Sequence, residues 1–262
     1  MIETNTIPNV ISGHNIQPVL PTVPCNVVYH EDCMEGLKRF PDNYFDWAMC
    51  DIPYGINVGK MAYLKETQTT VKQKNGTRLN GNRNKKPYTI KDWDNEVPTQ
   101  EYFYELKRVS KEQIIFGIDY VEWQGVGKGR IKWDKGVADG MSFNRYETAY
   151  CSVIDYTIEL PLLWAGMCQA KSLSEPMTQQ GNKKLNEKRI HPCHKPILLY
   201  QKLIIEFGMK GQKIVDTHVG GASSRIASYL AGCEYYGWEI DAEYWQLQEK
   251  RFKTFTSQLR MF

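Results

Sequence analysis

The residues best suited to chemistry form the tetrapeptide Asp51-Ile52-Pro53-Tyr54, which comes directly after the apolar run from Phe45 to Cys50. The run predicts a short strand, and the proline together with Gly55 predicts that the strand stops there. A carboxylate and an aromatic ring would then lie at the carboxyl end of a strand, where open α/β sheets bind ligands. Such a pair suits a flat base that carries an exocyclic amino group. Taken alone, the same residues also fit an ordinary turn.

A second group lies late in the chain, where the run Lys213-Ile214-Val215 ends in Asp216 and continues into Thr217-His218-Val219-Gly220-Gly221-Ala222. Glycines let the backbone approach a ligand closely, and the N-terminus of the helix predicted to follow favours a negatively charged group. About 20 residues further on, Glu239 ends the next predicted strand, where an acidic residue can hold both hydroxyls of a ribose. The pattern indicates a nucleotide site, and a glycine turn beside an exposed glutamate is the plain alternative.

Both groups require a sheet that brings the ends of strands together, and hydrophobic periodicity predicts one. The predicted strands are 26–29, 45–50, 113–117, 130–133, 149–153, 213–216 and 235–241. The predicted helices are 32–40, 101–109, 197–207, 224–231 and a last one that begins at Glu243. Strands that alternate with helices predict an α/β fold with a mostly parallel sheet covered by helices on both faces.

The composition limits the class of protein. With 262 residues, 42% hydrophobic and 24% charged, the chain suits one globular domain, which we assign to residues 25–262 after an extended, proline-containing arm at 1–24. No apolar run is long enough to span a bilayer, and the arm lacks the features of a signal peptide. The seven cysteines include no Cys-x-x-Cys pair, which favours reduced thiols in a cytoplasm and predicts no metal site.

Charge is unevenly distributed, because residues 60–91 hold nine basic residues and one acidic residue, a net charge of +8. Asn-Gly pairs and few large apolar residues predict a mobile loop over roughly residues 58–95. It is either a solvated insertion or an arm that contacts phosphates and releases counterions. Its start directly after the tetrapeptide favours the second interpretation. The candidate contact residues are Lys72, Lys74, Arg78, Arg83, Lys85 and Lys86.

Four segments, taken in order, resemble the amino-methyltransferases of DNA in the permuted arrangement called the β class. Tyr29-His30-Glu31-Asp32-Cys33 resembles the family's opening strand and turn, and Asp51-Ile52-Pro53-Tyr54 resembles its catalytic motif. His191-Pro192-Cys193-His194-Lys195-Pro196 resembles the His-Pro-x-x-Lys-Pro element that precedes the cofactor loop. The run from Asp216 to Ser224, with Glu239 behind it, resembles the cofactor strand, loop and ribose acid.

The resemblance implies a Rossmann-like S-adenosylmethionine-dependent methyltransferase fold with a mostly parallel, seven-stranded sheet and helices on both faces. It also implies S-adenosylmethionine as the methyl donor. Asp32 and Cys33 would contact its adenine, and Glu239 would bind its ribose hydroxyls. The residues expected around the methionine end are Asp216, Gly220, Gly221, Lys195 and His218, the last at a position where the family usually has phenylalanine.

The same resemblance implies DNA as the partner, with the target base flipped out of the duplex and stacked on Tyr54. Asp51 and the backbone carbonyl of Ile52 would accept hydrogen bonds from the exocyclic amine, and Pro53 would shape the turn. Aspartate at position 51 favours adenine N6 as the acceptor, with cytosine N4 as the alternative. The implied setting is a bacterial or phage-infected cytoplasm, as for restriction-modification enzymes; a homodimer and an accompanying restriction enzyme are left open.

Three features keep other interpretations open. Ile52 replaces a proline of the family motif, which removes a fixed φ but keeps the carbonyl acceptor. Ala222 replaces a glycine of the cofactor loop and would strain a position that needs a positive φ, unless Gly221 compensates. Residues 156–190 are either a short target-recognition segment or a connector. Ile52 and Ala222 keep open a catalytically impaired DNA-binding protein with the same fold. A methyltransferase of RNA or small molecules is a further alternative, for which the basic segment is neutral evidence.

Overall fold

The computed structural model describes residues 25–57, 70–72, 78–80, 91, 94–138, 144–174, 177–178 and 182–259. The predicted arm at 1–24 lies outside the described residues, as do Lys74, Arg83, Lys85 and Lys86. For Lys72 and Arg78 the backbone alone is described.

Strands and helices alternate along most of the described chain. The strands are β1 (Asn26–Tyr29), β2 (Phe45–Asp51), β3 (Thr70–Lys72), β4 (Arg78–Asn80), β5 (Ser110–Phe116), β6 (Arg130–Asp134), β7 (Tyr146–Cys151), β8 (Thr157–Pro161), β9 (Trp164–Ala165), β10 (Cys168–Gln169), β11 (Lys213–Asp216) and β12 (Glu234–Trp238). The α-helices are α1 (Cys33–Leu37), α2 (Gln100–Val109), α3 (Ile197–Glu206), α4 (Ser223–Leu230) and α5 (Ala242–Leu259).

Eight strands form one sheet in the order β1-β12-β11-β2-β5-β7-β6-β8. The first five are parallel neighbours, β7 runs antiparallel to both β5 and β6, and β8 pairs in parallel with β6. The predicted α/β class with a mostly parallel sheet is confirmed. The sheet has eight strands where seven were expected, because β8 adds a strand at the edge.

The chain changes direction across the sheet between β2 and β11, which lie side by side with Val215 opposite Ala48. From β2 the chain continues through α2 to β5 on one side, whereas from β11 it continues through α4 to β12 on the other. Such a reversal opens a crevice beyond the carboxyl ends of the two strands, where open α/β sheets bind ligands. Asp51 ends β2 and Asp216 ends β11, so both predicted groups border this crevice.

Helices cover both faces of the sheet, and successive side chains of its central strands enter two separate apolar clusters. In β2, Trp47 and Met49 belong to one cluster, while Ala48 and Cys50 belong to the other. The first cluster includes residues of α3 and α4, and the second includes residues of α1 and α2. A strand that is buried on both faces has a continuous apolar sequence, which is why β2 and β11 could be predicted.

Strands occur in two segments for which none was predicted, the basic loop at about 58–95 and the target-recognition segment or connector at 156–190. In the basic segment, β3 and β4 form an antiparallel pair with Lys72 opposite Arg78. In the segment 156–190, β8 joins the main sheet and β9 pairs with β10. These strands are between two and five residues long, too short for an alternating pattern to stand out in the sequence. Within the described residues, no helix is both long and apolar enough to cross a membrane.

Candidate active site

The turn after β2 is held by a buried carboxylate, that of Asp94. Its Oδ1 accepts hydrogen bonds from the backbone N–H of Tyr54 at 2.8 Å and of Gly55 at 3.1 Å. Its backbone carbonyl accepts a third, from the N–H of Asn57 at 3.0 Å. Ile52 is buried in the apolar cluster below. The turn is therefore tied to one residue by three hydrogen bonds, although Ile52 replaces the first of the two prolines in the family motif.

Four side chains meet at the end of β2: Asp51, Tyr54, Glu147 and Lys195. The Nζ of Lys195 lies 2.5 Å from Oδ1 of Asp51 and 2.5 Å from Oε1 of Glu147. The Tyr54 hydroxyl donates to Oε1 of Glu147 at 2.6 Å and lies 3.1 Å from both Oδ1 of Asp51 and Nζ of Lys195. All hydrogen bonds of the Asp51 carboxylate to described residues are made by Oδ1, and the side chain is 15% exposed. The second oxygen, Oδ2, accepts no hydrogen bond from the described residues, so among these it is available to a ligand.

Burial and the shared lysine set the charges of this cluster. Burial raises the pKa of Asp51, and Lys195 partly offsets the effect. Burial acts in the same direction on Glu147, but the positive charges of Lys195 and Lys135 outweigh it and lower the pKa of Glu147 to about 2. Although burial disfavours its charged form, the two carboxylates hold the pKa of Lys195 above the usual value. At neutral pH the lysine is protonated and Glu147 is ionised, and Asp51 is the carboxylate with the raised proton affinity.

Two members of the cluster differ from the sequence-based prediction. Lys195 was expected beside the methionine end of a cofactor, whereas the structure places its ammonium against Asp51 and Glu147. Glu147 was not predicted, because it reaches the cluster only through the antiparallel direction of β7, which brings the start of that strand to the carboxyl edge of the sheet. The available signal was its spacing in the strand, because Glu147 lies two and four residues before the buried Ala149 and Cys151 and therefore shares their face of β7.

Asp216, at the end of β11, is buried and holds the glycine loop. Its Oδ2 accepts from the Ser224 hydroxyl at 2.5 Å and the Tyr235 hydroxyl at 3.2 Å, and its Oδ1 accepts from the N–H of His218 at 3.0 Å. Burial raises the pKa of Asp216 to about 6 in spite of these donors. Burial also lowers the pKa of His218 to about 4, so its imidazole is neutral at pH 7. The hydrogen bonds of Asp216 thus join the loop to α4 and β12.

Glu239 lies beside the same loop, beyond the end of β12. Its Oε2 accepts from the N–H of Gly220 and its Oε1 from the N–H of Asp241, both at 2.9 Å. Its own N–H donates to the carbonyl of Tyr29, the last residue of β1, at 3.1 Å. Burial raises the pKa of Glu239 to about 7. The predicted ribose acid and the predicted glycine loop are therefore in direct contact.

The predicted adenine contacts follow β1 at the same edge of the sheet. Asp32 caps α1, because its Oδ1 accepts from the N–H of Met34 at 2.7 Å. Cys33 begins this helix, and burial raises the pKa of its thiol to about 12. The hydrogen bond from Glu239 to Tyr29 places this turn next to the glycine loop.

The glycine loop contains a residue with unfavourable backbone geometry. Ala222 has φ +62° and ψ +24°, the left-handed conformation that a Cβ disfavours. Gly221 does not compensate, since the positive φ angles of the loop fall on Gly220 and Ala222. Gly221 instead permits a close contact, because a Cβ there would lie 2.4 Å from Nδ1 of His194. The departure from the family's glycine is thus a real strain, located at position 222.

Replacing Ala222 by glycine should stabilise the protein, because glycine adopts this φ without the steric cost of a Cβ. We expect a gain of about 1 kcal/mol in the free energy of unfolding, measured by urea denaturation. Ala231→Gly is the matched control, since Ala231 ends α4 with φ −88° and should not benefit. If Ala222→Gly raised the free energy of unfolding no more than Ala231→Gly does, the inference that Ala222 is strained would be wrong.

The two groups act on each other electrostatically across the crevice. The charge of Asp51 contributes to the raised pKa of Asp216. Together with burial, both carboxylates raise the pKa of the Tyr200 phenol, on α3. Within the described part of the chain, the arrangement therefore combines a carboxylate that has one oxygen without a donor, an aromatic ring next to it, and a loop-and-acid pair typical of nucleotide sites.

The comparison with curated proteins agrees with the methyltransferase resemblance that the motifs indicate. No protein-family model matches the chain. A curated Escherichia coli protein described as "Putative methylase YubD" is 22% identical over 223 residues, which cover 84% of this chain and 87% of that protein. Among solved structures, M1.HpyAVI is 15% identical with a TM-score of 0.49, and the match covers 86% of this chain and 96% of the other. The cytosine-N4-specific PvuII DNA methyltransferase is 12% identical with a TM-score of 0.49, covering 88% and 87%.

Proposed function

We propose that this protein transfers a methyl group from S-adenosylmethionine to the N6 amino group of adenine in DNA. The observation that carries the proposal is the Asp51 carboxylate at the crevice between β2 and β11. Lys195 and Tyr54 fix one of its oxygens, and no described residue donates to the other. The nucleotide-type pair of Gly220 and Glu239 borders the same crevice. Similarity to a protein described as a putative methylase supports the reaction class.

The residues around the glycine loop fit the proposed cofactor. S-adenosylmethionine, when bound, supplies a methyl group on a positively charged sulfur. Each oxygen of Glu239 accepts one backbone N–H, and because a carboxylate has about four lone-pair sites it can still accept from two ribose hydroxyls. In this proposal Asp32 and Cys33 contact the adenine, Gly220, Gly221 and His218 border the methionine end, and Asp216 acts by holding the loop.

The Asp51 turn fits an exocyclic amine as methyl acceptor. Such an amine is a poor nucleophile, because its lone pair is delocalised into the ring. Hydrogen bonds from the amino group to the free oxygen of Asp51 and to the carbonyl of Ile52 would favour a pyramidal nitrogen. The raised proton affinity of Asp51 also suits the proton that this nitrogen loses once it is methylated. The rate then arises from positioning and electrostatics.

A base in duplex DNA reaches this crevice only when it is flipped out, and Tyr54 offers a ring for it to stack on. We infer that the basic segment contacts the DNA phosphates. Lys72 and Arg78 lie opposite each other on β3 and β4 in this segment. Lys74, Arg83, Lys85 and Lys86, outside the described residues, belong to the same proposed surface.

The test is transfer of labelled methyl groups from S-adenosylmethionine to unmethylated DNA, followed by nucleoside analysis of the product. N6-methyladenine is the expected product. N4-methylcytosine as the product would support the same reaction class with cytosine as the target base. Cytosine N4 is the second candidate acceptor, because aspartate in this motif favours adenine without requiring it. Cofactor and DNA binding without transfer would favour the catalytically impaired alternative.

Asp94→Ala should lower kcat by about 100-fold with little change in the KM for S-adenosylmethionine. The substitution removes the two hydrogen bonds that hold the turn of Asp51 and Tyr54, and it leaves the cofactor loop intact. Steady-state kinetics and the melting temperature of each variant provide the measurement. Asp94→Asn keeps an oxygen that can accept from both N–H groups and should recover most of the activity. Equal losses in the two variants would show that the turn is not held through these hydrogen bonds.

A further inference from the structure

The rings of Tyr54 and Tyr120 form a stacked pair at the crevice. Their ring centroids are 4.8 Å apart and their planes are inclined by 14°. Tyr120 ends the short 3-10 turn Ile118–Tyr120, which follows β5, the neighbour of β2 in the sheet. A second aromatic ring therefore covers one face of the ring on which a flipped base would stack.

The two rings are held very differently. Tyr54 is fixed at both ends, through its backbone N–H to Asp94 and through its hydroxyl to the Glu147 and Lys195 cluster. The Tyr120 residue is 49% exposed, and its side chain makes no hydrogen bond to the described residues. Its backbone N–H donates to the carbonyl of Gly117 at 3.0 Å. If the pair separates, Tyr120 is the ring that moves.

The start of the turn is fixed against Tyr54. Gly117 has φ +85°, and a Cβ at this position would lie 2.2 Å from Cε1 of Tyr54. Glycine is therefore required both for the backbone conformation and for the close approach to the ring. This contact anchors the turn at its first residue, while the ring at its other end is half exposed.

We propose that Tyr120 is a second stacking residue for the target base, which enters between Tyr54 and Tyr120. The inference rests on the proposed methylation of a flipped base. Near-parallel planes suit a flat guest, and a sandwich needs a centroid separation of about 7 Å, twice the optimal distance between stacked carbon atoms. The exposed ring moves outward by roughly the difference, while Tyr54 keeps its hydrogen bonds to the catalytic cluster. Base stacking on aromatic side chains is tolerant of base identity, so Tyr120 supplies affinity and Asp51 supplies the contact to the amino group.

The experiment compares Tyr120→Ala, Tyr120→Phe and wild type in methyl transfer to unmethylated plasmid DNA and in equilibrium binding of the same DNA. Tyr120→Ala should raise the KM and the dissociation constant for DNA by about 5- to 150-fold, the range that the loss of one stacked base produces. Tyr120→Phe keeps the ring and should behave as wild type. The KM for S-adenosylmethionine and the melting temperature should not change in either variant.

Tyr104→Ala is the matched control, because Tyr104 is an exposed tyrosine, 60% accessible, on α2. DNA affinity that is unchanged in Tyr120→Ala would overturn the inference. Tighter binding would also overturn it, since that result means Tyr120 covers the stacking face of Tyr54 and is displaced by the base. A wild-type protein that transfers no methyl group to DNA would instead overturn the proposed function, and the inference with it.

Discussion

Asp51→Ala should reduce methyl transfer to DNA by about 1000-fold or more while the protein remains folded. The loss of one preorganised electrostatic partner of a reacting group typically lowers the rate by about 100- to 1000-fold. Here the same substitution also removes the acceptor that orients the amino group, so we expect the upper end of this range or beyond. Folding should survive because Lys195 keeps its ion pair with Glu147 at 2.5 Å. The measurement is single-turnover transfer of labelled methyl groups, with melting temperature as the test of folding.

Two further variants separate the charge of Asp51 from its role as an acceptor. Asp51→Asn retains an oxygen that accepts a hydrogen bond but loses the negative charge, so residual activity should lie between those of wild type and Asp51→Ala. Asp155→Ala removes an exposed carboxylate in the turn after β7 and should leave activity unchanged. Activity of Asp51→Ala within a few-fold of wild type would remove Asp51 from the mechanism.

The central sheet could be predicted because its strands are buried on both faces and have apolar sequences. β1 and β11 have the predicted bounds, and β2 ends at the predicted site residue. The edge strand β8 was not predicted, because its apolar face consists of only two residues, Ile158 and Leu160, which alternate with exposed ones. The antiparallel direction of β7 depends on tertiary pairing with β5 and β6, for which no local sequence signal exists.

The same distinction applies to the candidate site. Asp51, Gly220 and Glu239 were recognisable because each stands in a local pattern of strand, turn and glycine. Glu147 and Asp94 were not, because each acts through a partner distant in sequence: Lys195 lies 48 residues after Glu147, and Tyr54 lies 40 residues before Asp94. The hydrogen bonds that hold the turn in place of the proline replaced by Ile52 could therefore be found only in the fold and not in the motif.

Lys195→Met should both destabilise the protein and displace its pH profile. The substitution leaves the carboxylates of Asp51 and Glu147 close together without their shared cation, and breaking a buried ion pair in this way costs about 3–5 kcal/mol. Lys195 lowers the pKa of Asp51 against the effect of burial, so its loss raises that pKa further. Asp51 would then be ionised only at higher pH, and residual methyl transfer should increase with pH more steeply than in wild type.

The stability of Lys195→Met should change with pH in the opposite sense to its activity. Carboxyl groups whose pKa values are raised by folding favour the folded state when protonated, so the deficit should be smaller at acidic pH and grow as pH rises. Denaturant unfolding of Lys195→Met and wild type at several pH values measures this difference in stability. Lys38→Met is the matched control, because its ion pair with Glu35 is similarly short, at 2.6 Å, but exposed. That variant should retain the wild-type melting temperature and pH profile.

A double variant distinguishes the charge balance of the cluster from the placement of Asp51. Adding Glu147→Gln to Lys195→Met removes one carboxylate along with the lysine, so part of the lost stability should return and the two effects should not be additive. Activity should remain low, because Oδ1 of Asp51 still lacks the ammonium that fixes it. Recovery of both stability and activity in the double variant would mean that Lys195 only neutralises charge. Recovery of stability alone is the result expected if Lys195 holds the carboxylate in position for the amino group.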